Sequence, residues 1–285
     1  MSIFDAISKT LTTVSSAAVG LDPRILSSDW TGLNPALLAK FYALKRDAAG
    51  TGWEQSFDVR ELSAKDKFSV YDGWEVWAPI TDGTSEMTLN WHSPFEGAGA
   101  ESKAPTISSM LQSGSLAPTI QALGEKAGAG DKASQAVNAL SSAQGRVGIT
   151  KLNSTQVFQG MPPVKLSITA HFRALIDPVS EVQIPISQLQ QWAVPQYLAD
   201  DGVIANAVKN GADQSILETV FPSLAPQIIG MKYGDRTYEP LVIESISEPI
   251  TNPRSIDGVS ISCSVTMTLA TLTAIDRRDI QRMHL

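Results

Sequence analysis

The feature that most constrains the fold is a run near the C-terminus in which apolar and hydroxyl side chains alternate without exception. Residues 259–269 carry Val, Ile, Cys, Val, Met and Leu at odd positions and only Ser or Thr at even positions. Successive side chains of a β-strand point to opposite faces, so the run predicts a strand with one apolar and one hydroxyl face. At about 3.3 Å per residue this strand reaches roughly 36 Å, longer than most strands.

A second two-faced strand is predicted over residues 164–172, where apolar residues alternate with Lys, Ser, Thr and His. A helix is expected to begin at Pro185, where a missing amide hydrogen costs nothing, and to end or kink at Pro195. A further helical stretch is predicted over 203–221. Strand-like residues 227–233 and 238–246 flank a turn at Gly234-Asp235.

The first half of the chain shows weaker patterns. Helical spacing of Ile3, Phe4, Ile7 and Leu11 predicts a helix at the start. Short β-prone runs at 57–62, 68–76 and 87–91 are separated by the turn pairs Asp72-Gly73 and Asp82-Gly83. The predicted organisation is an N-terminal helical arm (1–50), a short-strand region (51–96), an Ala/Gly/Ser-rich helical linker (97–148) and a β domain with helices (149–285). The expected fold class is α+β and β-rich.

Composition restricts the classes of partner. The chain has 285 residues, with 22 Lys and Arg against 29 Asp and Glu, a formal net charge of −7. This net negative charge argues against a surface that binds nucleic acid by neutralising phosphates. Cys263 is the single cysteine, so an intrachain disulfide is excluded and a core thiol is expected. With neither a secretory signal pattern nor an apolar run of about 18 residues, the protein is expected to be soluble and made in the cytoplasm.

The sequence offers little catalytic chemistry. His92, His171 and His284 lack metal-ligand spacing, and neither a G-x-S-x-G elbow nor a phosphate-binding glycine motif is present. We therefore predict a protein that is not an enzyme, with no catalytic, cofactor-binding or metal-binding residues. Two alternatives stay open. One is a cell-wall hydrolase that uses carboxylates among Glu54, Asp58, Glu61, Asp72, Glu75 and Glu86. The other is a carbohydrate-binding β module that uses Trp53, Trp74, Trp77 or Trp91.

The candidate functional residues are the hydroxyl side chains of the long C-terminal strand. Hydroxyls on the outer side of a sheet face solvent, a neighbouring chain or a lumen. A free protein avoids long exposed strand edges, and an assembly in which subunits cover one another's edges meets the same constraint. We therefore predict lumen-facing or neighbour-facing roles for five residues: Ser260, Ser262, Ser264, Thr266 and Thr268.

Several segments resemble baseplate and tail-tube-associated structural proteins of contractile-tailed bacteriophages, in particular tube-initiator-like proteins. The first two are Trp91-His92-Ser93-Pro94-Phe95-Glu96 and Pro105–Gly114, which contains Leu111-Gln112-Ser113-Gly114. The others are the 164–172 strand with the Gln183-Ile184-Pro185 and Trp192 that follow it, and residues 243–276, where Asp257-Gly258 precedes the long strand. Together they cover about two-thirds of the chain, mainly from Trp91 onward.

The resemblance implies a tail-tube-like antiparallel sandwich or split barrel with inserted helices, assembled as a homo-oligomeric ring around a channel. It implies a structural virion protein that links the tail tube to the baseplate by packing against tube, hub and baseplate subunits. DNA would at most pass through the lumen, and no membrane, cofactor or active site is implied.

Overall fold

The computed structural model describes residues 24–63, 68–92, 155–199 and 223–284. The expected helices at the N-terminus, in the 97–148 linker and over 203–221 lie outside these residues, apart from residue 24 onward of the arm. The strands are β1 (Ile25–Ser27), β2 (Leu38–Arg46), β3 (Trp53–Gln55), β4 (Val59–Ser63), β5 (Phe68–Tyr71), β6 (Glu75–Glu86), β7 (Asn90–His92), β8 (Val157–Gly160), β9 (Lys165–Arg173), β10 (Pro195–Tyr197), β11 (Leu224–Pro226), β12 (Ile229–Tyr233), β13 (Arg236–Ser247) and β14 (Ser262–Thr271). The helices are α1 (Ile184–Ala193) and α2 (Arg277–Met283), with a 3-10 turn at Pro35–Leu37 and a π-helical turn at Val179–Gln183.

The chain divides into two compact units, one formed by Met1–Thr88 with Pro162–Leu285 and the other by Leu89–Met161. The larger unit contains a closed antiparallel barrel of six strands, in the order β6-β9-β14-β13-β12-β2 and back to β6. β1 joins β6 in parallel, and β3 joins β2. In the smaller unit, the described residues form the two-stranded sheet β7–β8. The prediction of a β-rich α+β fold is confirmed.

Two long strands close the barrel because each one pairs with different neighbours along its length. The first part of β6 pairs with β2, and from Ile80 onward β6 pairs with β9. β13 pairs with β12 up to Leu241 and with β14 from Leu241 to Ser247. Both strands have an irregularity in register near the change of partner. Such irregularities bend strands, which allows one strand to serve two sheets.

The inward side chains of these strands form one apolar core. The apolar residues of β9 and those of β14 from Cys263 to Leu269 point inward, and α1 packs over the barrel with Ile186, Leu189 and Trp192 buried. The predicted core thiol of Cys263 is confirmed, since its residue is 2% exposed. Other buried members of the barrel interior are Phe41, Val76, Ala170, Phe172, Ile229, Leu241, Val265, Met267 and Leu269.

Three predictions about the first half of the chain are corrected. The prediction of a helical arm is wrong for residues 24–50, which contain β1 and β2. Alanine, leucine and lysine favour helices, but Ala39, Phe41 and Ala43 of β2 alternate into the core. Asp82-Gly83 does not form a turn but continues β6 along β9. The proposed boundaries at residues 50 and 148 do not separate the barrel strands, since β2 and β6 pair directly with later strands.

Other predictions hold within a few residues. The second long strand matches β9, and α1 has Pro185 in its first turn and ends before Pro195. The hairpin over Gly234-Asp235 joins β12 to β13, with Gly234 at φ 62°. The first long strand begins three residues later than predicted, at Ser262. No helix of the described residues is long and apolar enough to span a membrane.

A buried carboxylate fixes the loop between β9 and α1. Glu181 is 8% exposed and accepts backbone N–H hydrogen bonds from Leu175 at 2.7 Å, Ile176 at 2.8 Å and Asp177 at 2.9 Å. Its backbone carbonyl accepts a hydrogen bond from the Ser28 hydroxyl. The loop backbone is therefore held against the π-helical turn.

We expect Glu181→Ala to lower the free energy of unfolding by about 1–3 kcal/mol, because three donors lose their acceptor. Urea denaturation measures this cost, and amide hydrogen exchange at residues 175–177 should accelerate. Glu181→Gln keeps a side-chain oxygen as acceptor and serves as the matched control with a smaller loss. Equal stability of the alanine variant and the wild type would show that this carboxylate does not hold the loop.

Candidate functional site

The candidate site is a four-stranded polar surface on the outside of the barrel, formed by β6, β9, β14 and β13. Register places Asp82, Thr169, Thr266 and Ser247 in one row across these strands. The next row contains Thr84, Ser167, Thr268 and Ser245. We call this surface, together with Ser262, Ser264, Lys165, His171, Arg173 and Glu86, the hydroxyl face.

Four of the five predicted site residues lie on the hydroxyl face. Ser264 and Thr266 are exposed, and Ser262 and Thr268 are half-buried. Ser260 precedes β14 and forms an isolated bridge with Arg254 instead. The face lies opposite the packed interior, so these hydroxyls do not line the subunit's own barrel. Solvent, a neighbour or a channel between subunits are the environments that this geometry allows.

The centre of the hydroxyl face is uncharged, whereas its charged residues lie toward its ends and edges. Thr169 and Thr266 hydroxyls are 3.3 Å apart, and His171 Nδ1 lies 3.0 Å from Ser264 Oγ. Burial, and to a smaller extent the charge of Arg173, lower the pKa of His171. This favours the neutral ring at neutral pH. Lys165 forms a 2.7 Å ion pair with Glu244.

Among the described residues, the hydroxyl face has an unpaired strand edge at each side. β6 pairs only with β9 beyond Ile80, and β13 pairs only with β14 from Val242 to Ser247. An unpaired strand edge offers backbone donors and acceptors to another strand. Alternation in the sequence identified the face, but it did not identify these edges, because β6 carries a weak pattern and contains the misassigned Asp82-Gly83.

The six candidate carboxylates have separate structural environments. Asp72 is buried and accepts from Ser56 Oγ at 3.0 Å and from Arg60 Nε at 2.7 Å and Nη2 at 2.8 Å. Glu54 and Asp58 both contact Lys45. Glu75 accepts from Gln55 and from the Trp77 indole. Glu61 lies on β4, and Glu86 lies opposite Lys165 on the hydroxyl face.

The four candidate tryptophans make different local contacts. Trp53 and Trp77 lie under cations, with Arg46 at 4.0 Å and Lys40 at 4.1 Å from the ring centroids. Trp74 meets Tyr71 edge-on. Trp91, in the smaller unit, lies 5.4 Å from Phe158. In the part of the chain that the structure describes, no group of three or more His, Cys, Asp or Glu side chains could hold a metal ion.

The fold therefore defines the chain as a six-stranded antiparallel barrel protein with an extended polar sheet face. No protein-family model matches the sequence, and a search of curated proteins found no match either.

Proposed function

We propose that this chain is a structural virion protein of a phage contractile tail, which links the tail tube to the baseplate as a subunit of a homo-oligomeric ring. The observation that carries the proposal is the hydroxyl face with an unpaired strand edge at each side. The sequence resemblance described above supplies the setting, with tube, hub and baseplate subunits as partners. A tail-tube-like role for the barrel is part of this proposal.

The directions of the two outer strands suit a ring of identical subunits. β6, β9, β14 and β13 alternate in direction, so β6 and β13 run antiparallel to each other. A β13 edge of one copy placed beside the β6 edge of the next continues the same alternation. Repeated around a ring, this pairing leaves no free edge, as in closed sheets.

The chemistry of the hydroxyl face suits a channel wall. Its central rows carry Ser and Thr, with Asp82 at the β6 side, and contain no large apolar side chain. Lys165 is neutralised by Glu244. A protein with net charge −7 and a neutral hydroxyl wall does not hold DNA phosphates by attraction, so DNA can pass without being bound. The proposal includes no reaction: Asp72, Glu54, Asp58 and Glu75 are engaged with the partners described above.

Electron microscopy of the purified protein, alone and mixed with tube and baseplate subunits, tests the proposal, with rings as the expected result. Successive residues of a strand direct their N–H groups to opposite neighbours. Proline at Thr84 and at Ser85 therefore removes one N–H that faces β9 and one that faces the free edge. The proline that removes the N–H facing β9 is expected to destabilise the fold. The proline that removes the N–H facing the free edge is expected to fold normally but to form no rings. Rings from every folded variant, or a wild-type protein that stays monomeric with all these partners, would contradict the proposal.

A further inference from the structure

A tight hairpin between β13 and β14 holds an aliphatic side chain in solvent. Ile256 lies at its tip and is fully exposed. The tip is closed by hydrogen bonds from Ser255 N–H to the Val259 carbonyl at 2.8 Å and from Gly258 N–H to the Ser255 carbonyl at 3.0 Å. We call residues 254–260 the Ile256 hairpin.

Arg254 stabilises the Ile256 hairpin through hydrogen bonds to backbone carbonyls of the same loop. Arg254 donates through Nη1 to the Gly258 carbonyl at 2.7 Å and through Nη2 to the Ile250 carbonyl at 3.2 Å. Gly258 adopts a φ of 80°, which favours glycine. A braced loop loses little conformational entropy on binding, so an exposed isoleucine on it is preorganised for a contact.

A cleft of about 570 Å³ opens in the same unit between β6, the start of β9 and the β12–β13 hairpin. Its floor includes the apolar residues Leu166, Ile168 and Met231. Its rim carries both signs of charge, with Asp82, Asp235 and Arg236. Most of the remaining lining is polar or glycine, so the apolar part of the cleft is confined to its floor.

The Ile256 hairpin and the cleft lie at opposite ends of β9. The hairpin adjoins the end of the strand, where Ala174 N–H donates to the Ile261 carbonyl at 2.7 Å. Leu166 and Ile168, in the cleft, lie near its start. A nine-residue strand separates its ends by roughly 30 Å, so one copy cannot insert its own hairpin into its own cleft.

We propose that the cleft binds an aliphatic side chain followed by a carboxylate, and that its ligand is the Ile256-Asp257 tip of a second copy of this chain. Ile256 fills the apolar floor and Asp257 pairs with Arg236, while Arg254 stays hydrogen-bonded within its own hairpin. The Asp257 carboxylate thus meets a group of opposite charge. The contact joins two different surfaces, so it is heterologous and arranges copies end to end. Residues 80–85 of β6 line the cleft, so this contact lies beside the β6 edge that the proposed ring also uses.

Disulfide trapping on the full chain tests this contact. The double variant Ile256→Cys/Ser85→Cys is expected to give a ladder of covalent oligomers under mild oxidation, whereas Ile256→Cys alone stops at dimers. The native Cys263 is buried and does not compete. The matched pair Ile250→Cys/Ser85→Cys places the thiol on another exposed isoleucine of the same loop and should give no ladder.

A charge exchange tests the pairing of Asp257 with Arg236. Adding Asp257→Arg to the trapping pair should slow crosslinking about tenfold, and further addition of Arg236→Asp should restore the rate. Thermal melting of each variant confirms that it is folded. A missing ladder from folded protein, an equal ladder from the Ile250 pair, or no recovery in the exchanged variant would overturn the inference. Rings without a ladder would overturn this inference alone, and a ladder without rings would overturn the proposed function alone.

Discussion

Replacing Leu269 by alanine is expected to lower the free energy of unfolding by about 2–5 kcal/mol, the cost of removing a large aliphatic side chain from a packed core. Leu269 is 0% exposed and lies on the inward face of β14 opposite Leu166 and Ile243. Because the barrel is closed, neighbouring strands have little freedom to collapse into the resulting cavity. Urea or thermal denaturation measures the loss.

The preceding residue provides the matched control. Thr268 lies on the same strand and points to the opposite, polar side. Thr268→Ala should therefore change stability by about 0.5 kcal/mol or less, as is typical of surface substitutions. If both variants lost the same stability, the assignment of an inward apolar and an outward hydroxyl side to β14 would be wrong. Under the proposed function, Thr268→Ala also leaves the backbone edges intact and should still form rings.

Replacing Asp72 by alanine is expected to cost about 2–4 kcal/mol, because the change removes the carboxylate that accepts two Arg60 hydrogen bonds and the Ser56 hydroxyl hydrogen bond. The Asp72 side chain is 6% exposed and that of Arg60 is 35% exposed. Arg60 Nη2 also donates to Gln227 at 2.8 Å, and Gln227 donates to the Leu44 carbonyl. Loss of Asp72 therefore also loosens the attachment of the β4–β5 hairpin to the barrel.

A nearby exposed ion pair separates this effect from simple charge removal. Asp58 contacts Lys45 at 2.9 Å, with side chains 48% and 38% exposed. Asp58→Asn should cost about 1 kcal/mol or less, since solvent-exposed pairs contribute little. Asp72→Asn keeps the shape and one acceptor, so its loss should fall between those of the other two variants. Equal losses for Asp72→Ala and Asp58→Asn would contradict the structural role assigned to the buried carboxylate.

The sequence predicted correctly those elements that depend on neighbouring residues, and it predicted wrongly those that depend on pairing with distant strands. β9, β14 and α1 were predicted because their apolar residues repeat at the period of the element itself. The prediction of a helical arm was wrong over β2. This segment contains helix-favouring residues, but it forms a strand because it pairs with β12 and β6, which are distant in sequence. Asp82-Gly83 failed for a similar reason, because pairing with β9 holds this turn-favouring pair in an extended strand.

The candidate site shows the same division. Strict alternation of apolar and hydroxyl residues determined by itself that β14 has two chemically different sides and that Cys263 is internal. Only the tertiary structure decided that the hydroxyl side lies outside a closed barrel and that β9 and parts of β6 and β13 extend it to four strands. It also decided that the outer edges of β6 and β13 are unpaired along this face among the described residues. The physical reason is that side-chain direction follows from the local backbone, whereas strand neighbours and free edges depend on pairings between residues far apart in the chain.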